Sequence, residues 1–294
     1  MSKTKNERAD IYNKRGYRKI TQEELTKLQD TLLSMYKDIY EVCKKYNITP
    51  YLCGGSALGA IRHQGFIPWD DDLDIAMIRN EYEVLKAVFK RELGDKYILC
   101  SPDNENCKMR FPKIVKKGTI YQEIGSTRRL NGIFIDIFLI DYLPSNKLEY
   151  YTSGINCNLL ELISSCVYDK KYLDKTGKDL LTKAVGKSYY IRNCIGSIFS
   201  YKSPESWFNS INNVVKKAAR GDRVGLLTGS EHYFGEIFDY DTIFPAKYVK
   251  FCDIEAPVFN KVKLYLENLY GDFMKVPKES ERVTHNISEI DFGD

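Results

Sequence analysis

The hydrophobic residues that follow Thr21 recur every three or four positions, which is the spacing of one face of an α-helix. Thr21 and Glu24 stand in the positions of a capping box, so the helix is predicted to begin directly after Thr21. Asn47 and Pro50 mark its end. The sequence thus predicts one long amphipathic helix, which faces the core with Leu25, Leu28, Leu32, Met35, Ile39, Val42 and Tyr46.

Short runs of β-branched and aromatic residues between turn signals predict strands after this helix. Such runs occupy residues 51–53, 97–100, 109–115 and 119–123. Residues 131–141 form a denser apolar run that is typical of a buried strand. A second helix is predicted at residues 81–93, capped by Asn80 and closed by Gly94. These elements predict an α+β fold in which a β-sheet is flanked by helices.

The pattern changes after residue 144. Helix-length apolar patterns cover residues 148–167, 180–199 and 204–219. We interpret them as a helical insertion beside the sheet that selects the acceptor. Its aromatic residues are interpreted as core, with stacking on sugars or enclosure of a quaternary ammonium group as the alternative: Tyr168, Tyr172, Tyr189, Tyr190, Tyr201 and Trp207. A glycine-rich loop at residues 221–235, a strand at 244–253 and a helix at 260–270 follow.

Composition and charge narrow the class of protein. The 294 residues are 43% apolar and 29% charged, which is typical of a soluble globular protein with a sizeable core. Residues 1–20 hold seven Lys or Arg against Glu7 and Asp10, a net charge of +5 that leaves −1 on the rest. The body therefore lacks the basic surface of a nucleic-acid-binding protein. The basic segment is either a solvated tail or a weak contact to anionic lipid or glycan.

The cysteines and the N-terminus bear on the cellular location. No pair of the eight cysteines has the Cys-x-x-Cys spacing of a zinc or redox motif, so we interpret all of them as reduced apolar residues. The N-terminus lacks the apolar segment of a signal peptide. The longest uncharged run, residues 46–61, is too short and too polar to cross a bilayer. We predict a cytoplasmic protein, with peripheral attachment to the inner face of the membrane as the alternative.

Two carboxylates stand two residues apart in the strand-like run Asp72-Leu73-Asp74-Ile75. Side chains alternate along a strand, so Asp72 and Asp74 are predicted to share one face. Neighbouring carboxylates repel each other and are costly to bury without a partner. A divalent cation with oxygen ligands is the simplest partner. Magnesium that holds a phosphate-bearing substrate fits best, with manganese as a substitute.

A Gly-Gly-Ser turn precedes these carboxylates by 16 residues. Gly54 and Gly55 permit positive φ and the close approach of a ligand. Ser56 is placed to cap the next helix, whose first amides would face an anion. Arg62 comes within reach of a phosphate if residues 57–61 are helical. The alternatives are a glycine-rich turn beside a solvated acidic loop, and a surface arginine.

Asp136 stands in the middle of the apolar run at residues 131–141. A charge inside a buried strand is costly unless it is paired or bound to a metal. Asp136 is therefore expected to be paired or to bind a metal. The alternative is a buried aspartate that backbone amides or an arginine satisfy.

The run GGSALGAIRHQGFIPWDDDLDI at residues 54–75 resembles the signature of the LicD family of phosphotransferases, relatives of fukutin in the nucleotidyltransferase-fold superfamily. The Tyr-Gly-Asp at residues 270–272, the following proline and His285 also resemble the family. The resemblance implies a nucleotidyltransferase (polymerase-β-like) fold with a mixed sheet. It also implies a third carboxylate on a neighbouring strand, which Asp136 matches. Lys113 is the candidate for a family lysine, and an exposed strand lysine is the alternative.

The resemblance further implies a reaction. Members transfer a phospho-alcohol, typically phosphocholine, from a CDP-linked donor such as CDP-choline to a hydroxyl of a glycan or glycolipid, with release of CMP. Teichoic acid and lipopolysaccharide are acceptors of the expected kind. Three residues are then expected to be catalytic and to hold magnesium: Asp72, Asp74 and Asp136. Five are expected to bind the donor: Gly54, Gly55, Ser56, Arg62 and Lys113.

Two other functions remain open at this point. A nucleotidyltransferase would use the same carboxylates but release pyrophosphate, and a module without catalytic activity would only bind a nucleotide or glycan. On either view the predicted organisation is the same. It comprises a basic segment at residues 1–20, a catalytic core at 21–143, the helical insertion at 144–220 and a C-terminal part at 221–294 that completes the core.

Overall fold

The structure, a computed structural model, describes residues 18–105, 107–123, 132–216, 221–229, 232–282 and 286–293. The strands are β1 (Arg18–Lys19), β2 (Tyr51–Leu52), β3 (Asp74–Ile78), β4 (Tyr97–Cys100), β5 (Lys113–Lys116), β6 (Ile120–Glu123), β7 (Phe134–Tyr142), β8 (Arg223–Gly225), β9 (Ile237–Asp239), β10 (Lys247–Phe251), β11 (Ile254–Val258) and β12 (Asn286–Asp291). The helices are α1 (Gln22–Lys45), α2 (Gly54–His63), α3 (Arg79–Glu92), α4 (Lys147–Tyr172), α5 (Lys175–Val185), α6 (Ser188–Ile198), α7 (Pro204–Val215), α8 (His232–Gly235), α9 (Tyr240–Ile243) and α10 (Val262–Tyr270). A short 3-10 helix covers Glu279–Glu281.

The largest sheet is mixed. Its strands follow the order β2-β3-β7-β5-β4, and β8 joins β7 to β9 beside this path. Strands β3 and β7 pair in parallel, whereas the other pairs of this sheet are antiparallel. Two smaller sheets have the orders β1-β12-β6 and β10-β11. The mixed sheet and its helices are consistent with the predicted α+β class, and the nucleotidyltransferase fold stays a prediction.

Helix α1 confirms the prediction from hydrophobic spacing. Thr21 and Glu24 form the capping box: Glu24 donates its N–H to Thr21 Oγ1 at 3.2 Å, and Thr21 donates its N–H to Glu24 Oε2 at 2.9 Å. The predicted apolar face is turned inward, with these residues of the helix buried: Leu25, Leu28, Leu32, Met35, Tyr36, Ile39 and Cys43. Burial of this face stabilises a helix that propensity alone would leave marginal.

The main core lies between α1, the large sheet and the C-terminal elements β10, β11 and α10. Strand β7 supplies much of it, because Ile135, Ile137 and Leu139 are all buried. A second, smaller cluster joins α4 and α7 to Leu227 and to α8, and it contains Leu143, Cys157, Phe208, Ile211, Val215, Leu227 and Tyr233. Strand β7 therefore runs from the main core directly to the helices of residues 147–215, and the division into domains stays a prediction.

Several predicted elements are displaced. The strand predicted at residues 109–115 begins only at Lys113, and the helix predicted at 81–93 begins at Arg79 without a side-chain cap, so the Asn80 cap is wrong. The single helix predicted at 180–199 is two helices, which meet at Gly186 where φ is +59°. The loop predicted at 221–235 contains β8 and α8.

The aromatic residues of the helical region have mixed surroundings. Trp207 packs with Ile163 and Val167 in a small apolar cluster, as a core interpretation expects. Tyr190 and Tyr201 instead lie on the surface. The sequence pattern alone did not separate these two environments.

The cysteines are not all reduced. Cys100 and Cys107 form a disulfide that closes the segment after β4, so the prediction of eight free thiols is wrong. The remaining six cysteines are free. None of the helices that the structure describes is long and apolar enough to cross a membrane.

Candidate active site

Three charged residues stand side by side on neighbouring strands of the large sheet. In the parallel pair of β3 and β7, Asp74 lies opposite Asp136. In the antiparallel pair of β7 and β5, Asp136 lies opposite Lys113. Neighbouring strands are about 4.8 Å apart, and residues in register point to the same face. The sheet thus brings together in one row three residues that are far apart in the sequence, and we call Asp74, Asp136 and Lys113 the charged row.

The lysine of the charged row contacts one carboxylate directly. Lys113 Nζ lies 2.5 Å from Asp136 Oδ1, and the side chains of Lys113 and Asp136 are only 14% and 21% exposed. The same ammonium group lies 3.7 Å from the centre of the Phe134 ring. Asp136 Oδ1 is buried and accepts no hydrogen bond of good geometry, so the ion pair is its principal stabilising contact.

Asp74 lies in surroundings that oppose a negative charge on its carboxyl group. Burial raises the pKa of Asp74 well above its usual range, and the neighbouring carboxylates of Asp72 and Asp136 raise that pKa further. A carboxylate in such surroundings favours either a proton or an additional cation. The site therefore holds more acidic groups than one lysine neutralises.

A divalent cation fits this surplus of carboxylate oxygens, because hard cations prefer such ligands. Asp72, Asp74 and Asp136 could hold one together. Among the described residues, no three His, Cys, Asp or Glu side chains are already grouped as a metal site. Lys113 contacts one of the two carboxylate oxygens of Asp136. A cation held by Asp136 would therefore share that carboxylate with the lysine or replace it.

The N-terminus of α2 lies against the same carboxylates. Gly54 has φ of +52°, and a Cβ on it would lie 3.3 Å from Asp74 Oδ2. A Cβ on Gly55 would lie 2.8 Å from Asp70 Oδ2. The glycines are therefore needed for the close approach of helix and carboxylates. The first amides of a helix lack acceptors within it, so this end of α2 favours negative charge.

Ser56 and Asp72 have other positions than the sequence predicted. The N-cap of α2 is Cys53, and Ser56 lies inside the first turn, so its predicted capping role is wrong. Its Oγ accepts the N–H of Asp74 at 2.9 Å and thereby ties the helix to β3. Asp72 precedes β3, which begins at Asp74, so the two aspartates do not share a strand.

Arg62 lies at the other end of α2, eight residues or about 12 Å from Gly54. Its Nη1 donates to the carbonyl oxygens of Phe273 at 2.8 Å and Lys275 at 3.4 Å. Burial lowers the pKa of this guanidinium. In this structure Arg62 therefore attaches the segment after α10 to α2, and its predicted contact to phosphate stays a prediction.

Three residues near the charged row were not among the predicted site residues. Tyr265 Oη accepts the N–H of Gly54 at 3.0 Å and fixes the start of α2. The side chain of Tyr270 lies beside Gly54, and burial followed by the charge of Asp74 raises the pKa of its hydroxyl. Glu236 is 5% exposed, and its charge also raises the pKa of both tyrosines. Only the Tyr-Gly-Asp motif pointed toward any of them.

The other acidic residues of these segments have structural contacts. Asp71 is buried and accepts a hydrogen bond from Tyr121 Oη at 3.0 Å. Asp141 forms a buried bidentate ion pair with Arg79, in which Nη2 donates to Oδ2 at 2.6 Å and Nε to Oδ1. Neither belongs to the charged row. His285 lies outside the described residues.

Replacing Gly54 with alanine is expected to reduce activity and stability together. Alanine at this position would have to adopt a left-handed backbone conformation, which costs about 1–2 kcal/mol. Its Cβ would lie 3.3 Å from Asp74 Oδ2. A displacement of that carboxylate can lower kcat by up to about 100-fold. Denaturant unfolding and turnover measurements check both effects.

Gly118→Ala is the matched control for this prediction. Gly118 also has positive φ, at +76°, but a Cβ on it would meet nothing within 4 Å. It should therefore share the backbone cost without the loss of turnover. Equal turnover of the two variants would contradict the role of the contact between Gly54 and Asp74.

Comparison with known proteins adds information that geometry alone does not contain. Residues 47–155, which include the whole charged row, match the family described as LicD/FKTN/FKRP, nucleotidyltransferase domain. The chain is 28% identical over 271 residues to the lipopolysaccharide cholinephosphotransferase LicD of Haemophilus influenzae. The aligned region covers 90% of this chain and 97% of that protein. It is also 45% identical over 79 residues to an uncharacterized protein of Rickettsia typhi, covering 24% of this chain and 25% of that protein.

Proposed function

Because this chain is a member of the LicD family of phosphotransferases, we propose that it transfers phosphocholine from CDP-choline to a hydroxyl of a lipopolysaccharide-type glycan and releases CMP. The observation that carries the proposal is the register of β3, β7 and β5, which aligns Asp74, Asp136 and Lys113. The similarity to the Haemophilus enzyme extends over nearly its whole length and supports the choice of phosphocholine and of this acceptor class.

In the proposed reaction the acceptor oxygen forms a bond to the choline-bearing phosphorus, and the bond from that phosphorus to the CMP oxygen breaks. The acceptor proton goes to Asp136, the carboxylate between the other two members of the charged row. A magnesium ion held by Asp72, Asp74 and Asp136 would neutralise charge on the transferred group and on the departing CMP.

The remaining residues bind and orient the donor in this proposal. The start of α2 offers the amide of Gly55 and the helix dipole to a donor phosphate, while the amide of Gly54 is bonded to Tyr265. Lys113, once displaced from Asp136, becomes a mobile positive charge beside the same phosphates. Ser56 keeps Asp74 in place through the 2.9 Å hydrogen bond to its amide. Arg62 supplies further positive potential near the far end of α2.

We also propose that the reaction takes place in the cytoplasm, at the inner face of the membrane, because nucleotide-linked donors are made inside cells. The disulfide between Cys100 and Cys107 is the feature that counts against this location, since stable disulfides are rare in reducing compartments.

The proposed function is tested with purified protein, CDP-choline, magnesium and lipopolysaccharide from a choline-free strain. We expect CMP release that depends on the acceptor, incorporation of choline into the glycan, and loss of both when EDTA removes divalent cations. CDP-ribitol and CTP serve as parallel donors. Release of pyrophosphate from CTP, without CMP from CDP-choline, would contradict the proposal and favour a nucleotidyltransferase.

A further inference from the structure

A pocket of about 520 Å³ opens beside the charged row, between β7, α4 and the residues Thr228, Gly229 and His232. This volume is within the range of ligand-binding pockets. Its floor includes Phe138, which follows Asp136 by two residues on β7 and therefore points to the same face at a distance of about 7 Å. Phe111 lies against Phe138, with 6.5 Å between the ring centres. The pocket is thus adjacent to the site where the acceptor must react.

Arg110 is the most unusual group in the wall of this pocket. Its guanidinium carbon lies 5.4 Å from the ring centres of Phe111 and Phe208 and 6.0 Å from that of Tyr168. Its Nε is buried and donates no hydrogen bond to the residues that the structure describes. Burial lowers the pKa of Arg110, while the charge of Glu161 opposes this effect. A planar cation held between rings with an unused donor is well suited to an anionic oxygen group.

The other charged groups of the pocket already have partners. Arg192 pairs with Asp169, with 2.8 Å between Nε and Oδ2, and its Nη2 donates to Ser165 Oγ at 2.6 Å. Glu161 is bonded to His232 Nδ1 at 2.8 Å. Of the two arginines in the lining, Arg192 is held in an ion pair by Asp169, whereas Arg110 lies among aromatic rings with the charge of Glu161 nearby. Asn158 and Thr228 add amide and hydroxyl groups to the lining.

We propose that this pocket binds an anionic sugar unit of the acceptor, with Arg110 as the counter-charge to its phosphate or carboxylate group. The proposal rests on the proposed function. The donor is a poor occupant, because its diphosphate belongs at the charged row and its choline end is a cation that Arg110 repels. The pocket combines aromatic rings with amide and hydroxyl groups, and binding sites for sugars commonly contain both.

Binding is tested first without any reaction. Glucose 6-phosphate and glucose are titrated into the protein and followed by NMR line shifts of the sugar. We expect the phosphorylated sugar to bind at least about 10-fold more tightly. Arg110→Gln should remove that preference, since a hydrogen bond to a charged group contributes about 10- to 100-fold in affinity. Arg91→Gln is the matched control, because Arg91 lies on the surface and pairs with Glu92.

A second variant keeps the test decisive if Arg110→Gln does not fold. Leu162 lines the pocket and is 42% exposed, so tryptophan at this position fills the pocket without removing a charge. Leu162→Trp should also abolish binding of glucose 6-phosphate. Unchanged binding in this variant would overturn the assignment of the pocket.

Transfer kinetics separate this inference from the proposed function. Arg110→Gln should raise KM for the acceptor about 10- to 100-fold, with a smaller effect on KM for CDP-choline. If wild-type protein turns over CDP-choline but both variants keep the normal acceptor KM, the pocket assignment fails and the proposed function stands. If wild-type protein binds glucose 6-phosphate through Arg110 but transfers nothing, the proposed function fails and the assignment of the pocket to an anionic sugar stands.

Discussion

Asp74→Asn should lower kcat by a factor of about 1,000 and leave the protein folded, because a key electrostatic group contributes about 100- to 1,000-fold to catalysis. Asparagine preserves the shape of the side chain and the hydrogen bond from the Asp74 amide to Ser56. It removes the negative charge that would hold a cation and that repels Asp72 and Asp136. Stability should therefore stay constant or rise while turnover disappears. Acceptor-dependent CMP release and thermal unfolding measure the two effects.

The control for this prediction is Asp253→Asn. Asp253 is exposed, lies in the turn between β10 and β11 and forms a surface ion pair with Lys37 at 2.6 Å. It should keep normal turnover. Near-normal turnover of Asp74→Asn in the presence of magnesium would refute the catalytic assignment of the charged row. A large loss of stability would show that Asp74 is needed for folding.

Asp141→Ala should lower the free energy of unfolding by about 3–5 kcal/mol, since the change leaves the charge of Arg79 buried without its partner. Arg79 is 7% and Asp141 4% exposed, and the pair joins α3 to the end of β7. Arg79 Nη1 also donates to Asn212 on α7 at 3.2 Å, which does not replace a carboxylate. Urea unfolding followed by circular dichroism measures the loss.

Two comparisons distinguish this mechanism from a general intolerance to substitution. The double variant Arg79→Met with Asp141→Leu removes both charges and should recover most of the stability. Asp241→Ala breaks an exposed pair with Lys261 and should cost less than about 1 kcal/mol. A double variant as unstable as Asp141→Ala would mean that shape, and not charge, determines stability at this position.

The sequence predicted those features that depend on local pattern. Helix α1 followed from the spacing of its apolar residues and its capping box, and the strand around Asp136 from a dense apolar run. The closeness of Asp74 to Asp136 was expected only from the family resemblance, because strand pairing between distant segments leaves no periodic signal. Their alignment in the structure agrees with that expectation.

Features that depend on tertiary contact were missed. The hydrogen bonds from Gly54 to Tyr265 and from Arg62 to Phe273 each join residues 211 positions apart. Cys100 and Cys107 pair because the chain turns back after β4, which their spacing alone does not reveal. Ser56 looked like a cap, since serine is common at that position. In the structure the preceding strand ends at Leu52, one residue before its predicted end, and the helix begins at Gly54.

The bond between Gly54 and Tyr265 has a consequence for how the protein is made. On the ribosome, β3, β5 and β7 emerge long before α10, so the nascent chain displays its acidic strands while the amide of Gly54 still lacks its tyrosine acceptor. The enzyme is completed only when α10 has been synthesised. Premature termination shortly before residue 262 would therefore yield a polypeptide that has every carboxylate of the charged row. Its helix α2 would lack the hydrogen bond from Gly54 to Tyr265.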